Sequence, residues 1–274
     1  MVYTRLTEKL MPEEHAMADQ DLDQRHAPLP AIPGRRPGRG ARLGTALVQQ
    51  LVDDIVAGTF PPGSLLPPEG DLCERFDVSR TVVRESVKVI QEKGLVQTLQ
   101  GTGTRVTEQR SWNLIDEVVL GSLIKQDESM TILDELIIVR AALEREMAGA
   151  AARAAAPEDH ERLQAAMDTM RANTHSVALF AEADVVFHDV VMEISGNRLG
   201  LAMVTSIHDR ARANVRYHGS YTPDLVDRTL AEHQRITDAV LAGDDAAADA
   251  AMHAHIMDAW TRRRPSTREF LARG

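Results

Sequence analysis

The sequence predicts a mainly α protein with a small helical head carrying two short strands and a larger all-helical bundle behind it. Three observations predict it. Leu66–Val106 reads as helix, tight turn, helix, then two strands around the glycine-rich QGTG. From Trp112 onward the apolar spacing is helical throughout. Aromatics make up only 4% of the chain, while Ala, Leu and Val are common, a composition suited to helix packed on helix.

The elements follow in order. Residues 1–41 read as a disordered tail, since HAPLPAIPGRRPGRG mixes proline, glycine and arginine without apolar periodicity. Arg35, Arg36, Arg39 and Arg42 precede the first helix, and they suit either a solvated linker or an arm that reaches DNA phosphates. Residues 42–107 form the head. Leu47, Val48, Leu51, Val52 and Ile55 recur at helical spacing over Leu43–Ala57, and Gly58 ends that helix. Pro67 and Pro68 open a short helix to Phe76. Asp77 and Val78 turn the chain, and the Ser79 hydroxyl is placed to cap the next helix. Val82, Val83, Val87 and Ile90 form its buried stripe, while Arg80, Arg84 and Lys88 line another side. Leu95–Leu99 and Thr104–Thr107 are the strands. Residues 112–265 form the bundle, with helices near 113–125, 130–155, 158–173, 176–195, 198–217, 223–242 and 244–263. Met192, Met203 and the other methionines read as core filler.

Charge divides along the chain. The net charge is −10, and residues 108–274 account for 18 basic against 27 acidic groups. The head is near neutral, so its basic helix face is not opposed by a large local surplus of acid. An exposed basic helix beside a glycine-rich hairpin suits the DNA major groove, with the hairpin on the backbone or minor groove. Arg80 and Arg84 are candidates to read guanine edges, and Ser79 and Thr81 to hold phosphates. Gln100 and Gly101 mark the tip of the hairpin. The lone Cys73 excludes an internal disulfide and reads as a small buried hydrophobe. No apolar run reaches membrane-spanning length and no signal peptide is visible, so the expected location is cytoplasmic.

Four polar residues fall on inward helix faces. Asp184 and His188 share the stripe of Val177, Phe180, Phe187, Val191 and Ile194. His233 lies with Val226, Leu230, Ile236 and Val240, and His255 with Met252, Ile256 and Ala259, whereas His253 faces away. Inward imidazoles need partners. Either each bonds separately within the core, or the four converge on one divalent cation. A three-nitrogen, one-oxygen set suits zinc, and also nickel, manganese or iron. Arg140 is inward too, with Leu133, Ile137, Glu144 and Met147. It fits an ion pair with Glu144 one turn on, or a guanidinium fork for a ligand carboxylate. Thr229 is a further candidate for effector contact, with His208 and Arg212 as possible cavity residues. No nucleophile or general base accompanies these groups, although a metal-dependent hydrolase or lyase is the alternative they leave open.

PPGSLLPPEGDL at 61–72, VSRTVVRE at 78–85, GLV at 94–96 and GTG at 101–103 resemble the winged helix–turn–helix of GntR-family transcription regulators. Arg140, Leu143 and Glu144, Asp184, Phe187 and His188, Ser195-Gly196-Asn197, Glu232-His233, Ile236 and His255-Ile256 resemble the FCD ligand-binding domain of that family's FadR subfamily. Together they span residues 43–263. The resemblance implies a homodimeric repressor on a palindromic operator, released by a small carboxylate, an organic or sugar acid. It implies DNA contacts from Ser79, Arg80, Thr81, Arg84, Gln100 and Gly101. It further implies metal ligation by Asp184, His188, His233 and His255, and effector contact by Arg140. The Trp112-Asn113-Leu114 junction is similar to relatives that respond to sugar acids. One departure stands out: Gly70 occupies a position where many relatives carry a basic residue.

Overall fold

The computed structural model of the chain describes residues 39–213, 217 and 222–264. The expected tail up to Gly38, with Arg35 and Arg36, lies outside the described residues. In the head, α1 is Arg39–Val56, α2 Glu69–Phe76 and α3 Arg80–Glu92. Strands β1 (Val96–Leu99) and β2 (Gly103–Val106) pair antiparallel, Val96 opposite Val106 and Leu99 opposite Gly103. An isolated bridge from Leu65 to Arg105 adds a third short segment to this wing.

Local chemistry explains the boundaries. The Ser79 hydroxyl accepts a hydrogen bond from the Val82 N–H at 3.4 Å and caps α3. Asp77, at φ +50°, closes α2 in the left-handed region. Gly94, at φ +78°, closes α3, and a Cβ there would lie 2.1 Å from the Ser111 carbonyl oxygen. No other residue fits that crossing without moving backbone. At the wing tip Gly101 and Gly103 also take positive φ, which turns β1 into β2.

The five apolar residues foreseen on α1 are all buried, together with Leu72, Val83, Ile90, Leu95, Val96 and Val106. Of the stripe expected on α3, Val83 and Ile90 are buried and Val82 and Val87 half-buried, with Ser86 in the gap between them. Cys73 is half-buried against this core.

The bundle comprises α4 (Glu117–Gln126), α5 (Thr131–Ala154), α6 (Pro157–Ala172), α7 (Val177–Ile194), α8 (Arg198–Arg212), α9 (Pro223–Leu241) and α10 (Asp245–Arg263). The sequence placed α4 from residue 113. It begins at Glu117 because the Asp116 carboxylate accepts from the N–H groups of Val118 and Val119. Of the helix expected over 198–217, the last residues lie outside those described, Tyr217 excepted.

Helix α5 runs through the middle of the bundle, packing along α10 and touching α7, α8 and α9. Helix α4 serves two cores. Val119 and Leu123 belong to the core of the head, while Leu120 and Ile124 belong to that of the bundle. Met192 is buried as foreseen, but Met203 is 38% exposed and is not core filler. It falls on the outer side of α8, where Leu199 is 73% exposed as well. Val177, expected on the buried face of α7, is exposed in the first turn of its helix.

Candidate effector and metal site and DNA-facing surface

Three helices deliver the inward polar residues to one point. Helix α7 carries Asp184 and His188 one turn apart, α9 carries His233 and α10 carries His255. The three histidines are almost wholly buried, and the Asp184 side chain is 13% exposed. One ligand atom from each of the four lies within 4.8 Å of the others. The Nε2 atoms stand 3.2 Å apart for His188 and His255, 3.3 Å for His188 and His233, and 3.1 Å for His233 and His255. Asp184 Oδ1 is 3.5 Å from His233 Nε2 and makes no hydrogen bond among the described residues. His253 is exposed on the far side of α10, as the helical spacing requires.

The outer nitrogens decide what the inner ones are. His188 Nδ1 lies 2.5 Å from Glu144 Oε2, and His255 Nδ1 lies 2.9 Å from Glu232 Oε2. A carboxylate only accepts, so each Nδ1 carries the proton. In the neutral ring Nε2 is then a bare acceptor, and the two bare acceptors point at each other. The third ring stacks on Phe187 at 4.3 Å between centroids, and its Nδ1 faces the Met170 sulfur at 3.1 Å. Burial and the neighbouring imidazoles push His233 well below the usual histidine pKa, which favours the unprotonated ligand form. Burial likewise lowers His255, although Glu232 pulls the other way. Burial works against the Asp184 carboxylate, yet the adjoining imidazoles and the Arg263 guanidinium hold its pKa below the usual range.

These residues fit a cation. Donor atoms placed tetrahedrally ~2 Å from a zinc ion lie about 3.3 Å from one another, close to the spacings found here. The carboxylates behind His188 and His255 are the outer partners that fix ligand tautomers in metal sites. Sequence reading did not assign Glu144 and Glu232 this work. Their signal was their place beside Arg140 and His233 in the motifs.

Arg140 is 6% exposed. It pairs with the Glu144 carboxylate, donates from Nη1 to the Tyr217 hydroxyl at 3.0 Å, and faces His208 Nε2 at 3.3 Å. The ion pair suggested by the i,i+4 spacing is therefore present. Burial favours the neutral forms of both partners, but their mutual attraction wins, raising Arg140 and lowering Glu144. One guanidinium nitrogen, Nη2, is buried and has no hydrogen-bond partner among the described residues. Arg140, Asp184 and His255 line the same small void. Beside it a cavity of about 150 Å³ opens between α7, α8, α9 and α10, lined in part by Asp184, His208, Arg212, Tyr217 and Thr229. Thr229 is buried, as are His208 and Tyr217. Tyr217, Arg262 and Arg263 were not singled out from sequence; the two arginines lie in the last turn of α10, past the end of its apolar stripe.

On the head, Ser79, Arg80, Thr81, Arg84, Gln100 and Gly101 are all exposed. Thr98 of β1 donates to Gln91 of α3 at 3.0 Å and ties the wing to the helix. Arg84 is held by Glu69 of α2 at 2.9 Å, and Lys88 by Glu85 at 2.7 Å.

Comparison with known proteins agrees with this division of labour. Residues 43–106 match the bacterial regulatory proteins of the gntR family, and residues 135–258 match the FCD domain. The HTH-type transcriptional regulator YieP of Escherichia coli is 32% identical over 75% of this chain and 89% of its own. The chain belongs to the GntR family. The galactonate operon transcriptional repressor of Escherichia coli is 30% identical over 75% of this chain and 90% of its own. Lar, which controls the expression of the Listeria monocytogenes agr system, shares the fold at a TM-score of 0.52 and 15% identity, over 81% of this chain and 96% of that one. This GntR protein is a DNA-binding transcription regulator and not an enzyme, which removes the hydrolase or lyase alternative. None of its described helices is long and apolar enough to cross a membrane.

Proposed function

We propose that the protein is a homodimeric, cytoplasmic repressor that leaves a palindromic operator when a small carboxylate binds the bundle. The observation that carries the reading is the buried mismatch at the centre of the bundle. The Nε2 atoms of His188 and His255, both without a proton, face each other with His233 Nε2 beside them, and among the described residues Asp184 Oδ1 and Arg140 Nη2 are buried without a hydrogen-bond partner. Buried polar groups left in that condition are costly, and a ligand that satisfies them favours the conformation that binds it.

Asp184, His188, His233 and His255 would hold one divalent cation, zinc best matching the donor set. When bound, the cation supplies positive charge that a carboxylate can ligate. Arg140 offers the second anchor, since a guanidinium nitrogen donates to a carboxylate oxygen with fixed direction. Thr229, from the facing wall, would orient the rest of the effector.

In the head, Arg80 and Arg84 would read bases, Ser79 and Thr81 would hold phosphates, and Gln100 and Gly101 would place the wing. Two-fold related heads need two-fold related half-sites. Effector binding then acts by favouring a head arrangement that misses the half-site spacing. Such coupling is typically worth about 1–3 kcal/mol, roughly 5–150-fold in operator affinity.

The test is metal analysis of the purified chain, followed by a thermal-shift screen of small organic and sugar acids. Operator release is then measured with any acid that stabilises the protein. One metal per chain and release by a stabilising acid are expected. Metal-free protein whose operator affinity no acid changes would overturn the reading.

A further inference from the structure

The stretch of α7 that adjoins Asp184 along the cavity is chemically one-sided, and this bears on what the effector is. Val177, Phe180, Ala181 and Val185 recur at three- and four-residue spacing along α7 and all line the cavity. Leu225, from the start of α9, joins them. Beyond its first turn the backbone polar groups of α7 are engaged within the helix, so apart from Asp184 this side offers a bound molecule little to bond.

The polar side comprises His208, Arg212, Tyr217, Thr229, Arg262 and Arg263, and several of these are already engaged. Arg262 is held by Glu232 at 2.8 Å. The Tyr217 hydroxyl accepts from Arg140, and the Arg263 guanidinium lies 5.9 Å over the Tyr217 ring. Among the described residues around the cavity, the buried side-chain atoms without a hydrogen-bond partner are Asp184 Oδ1, beside the imidazole cluster, and Arg140 Nη2. A sugar acid brings a hydroxyl on nearly every carbon. Seated here, several would press on the α7 wall without partners, and a hydroxyl misplaced in an apolar pocket costs roughly a hundredfold in selectivity. Size points the same way. A cavity of about 150 Å³ has room for a molecule the size of benzene, about six carbon atoms.

We infer that the effector is a monocarboxylate with a short apolar body of about four to six carbons, its acid group at the Arg140 and Asp184 end and its body along Val185 and Phe180. This inference rests on the carboxylate reading above and narrows it, against the sugar acid suggested by the junction residues and by the galactonate repressor's name.

The experiment is calorimetry on the full-length, zinc-loaded protein with three probes. 4-Methylpentanoate has the apolar body, gluconate the polyol body, and succinate a second charge. 4-Methylpentanoate is expected to bind at least tenfold tighter than either rival. Val185→Thr keeps the shape of the wall and adds a hydroxyl, so it should cut the preference over gluconate severalfold while leaving the fold and zinc content unchanged. Tighter binding of gluconate or succinate overturns this inference and leaves the carboxylate reading standing. An unchanged preference in a folded Val185→Thr protein also overturns it, by showing that the body lies elsewhere. If the zinc-loaded protein binds none of the three, this inference falls, and the carboxylate reading is decided by the wider screen of acids described above.

Discussion

His188 Nδ1 and Glu144 Oε2 meet at 2.5 Å in the middle of the bundle, while the same carboxylate pairs with Arg140. Glu144 thus joins the candidate metal ligand to the candidate effector anchor. It sets the His188 tautomer and holds the guanidinium in place, both without touching either ligand.

Glu144→Gln should therefore weaken metal and effector together. A glutamine carbonyl still accepts from His188 Nδ1, so the ring keeps its tautomer but loses the charge behind it. Metal affinity is expected to fall about 10–100-fold, the usual cost of losing such an outer partner. Competition against a chromophoric chelator measures this. Wild-type affinity in the folded variant would show that Glu144 serves the ion pair alone.

His188→Ala and His233→Ala should each release the metal and lower the thermal midpoint, because binding to the native state stabilises it. His253→Ala should do neither, since that ring is exposed on the other face of α10. Metal content read by mass spectrometry, with the His188→Ala/His233→Ala double variant as the limit, checks the assignment. One metal per chain in the double variant would refute it.

On the head, Arg80→Ala and Arg84→Ala should each cost about 1–3 kcal/mol of operator binding while the fold stays intact. The pair between Arg84 and Glu69 is exposed on both sides, so it contributes little to stability. It also occupies the arginine in the free protein. Glu69→Gln should raise affinity for DNA generally, because it frees Arg84 and removes a negative charge near phosphate. Titrations of operator and scrambled duplexes separate the effects. An Arg84→Ala protein that matches wild type on both duplexes would end the recognition-helix reading.

Features set within a few residues of one another were legible before the fold was known. The Ser79 cap, the glycine closures at Gly58 and Gly94, and the inward phase of Asp184, His188, His233 and His255 all follow from spacing along one helix or turn. The elements that sequence misplaced depend on distant partners or on one local group that overrides the periodic signal. Helix α4 starts at Glu117 because a single carboxylate intercepts two N–H groups, while the apolar rhythm already runs through Leu114 and Ile115. Met203 is apolar and sits in a helix, but it falls on a side of α8 that is exposed among the described residues. The link from Glu144 to His188 spans 44 residues and that from Glu232 to His255 spans 23. No periodicity within one helix announces such a pair.

Asp116 offers a pH test of the join between head and bundle. Its carboxylate caps α4 and takes a 2.5 Å hydrogen bond from Lys93, at the end of α3. Partial burial would raise its pKa, but Lys93 and the capping N–H groups outweigh this and lower it. A carboxyl with a lowered folded pKa contributes stability that is complete above its unfolded value. That contribution is lost as pH falls through the folded value. Asp116→Asn keeps a capping oxygen and removes the charge, so it should be less stable than wild type at pH 7. The gap should shrink on the acid side of the ordinary aspartate range. Urea midpoints of the two proteins at pH 7 and pH 3 provide the measurement. A gap that is constant with pH would mean that the Lys93 contact adds nothing to stability.

The proposed switch turns on Arg140. If a carboxylate bridges the cation and Arg140 Nη2, Arg140→Ala should still bind operator and metal, since the residue lies in the bundle and outside the candidate metal ligands. It should no longer be released by the effector, leaving a permanently repressing protein. Arg140→Lys should rescue poorly, because an ammonium cannot hold Glu144 and point a second donor at the ligand together. The ion pair complicates the reading, since Glu144 is wholly buried and losing its partner is destabilising, by about 3–5 kcal/mol for buried pairs of this kind. Arg140→Ala/Glu144→Gln removes both charges and relieves that penalty. Calorimetry with an effector that stabilises the wild type, on whichever variants fold, decides the matter. If a folded, zinc-loaded variant without Arg140 binds that acid with wild-type affinity, the arginine is a structural partner of Glu144 and the anchor must be sought elsewhere in the cavity.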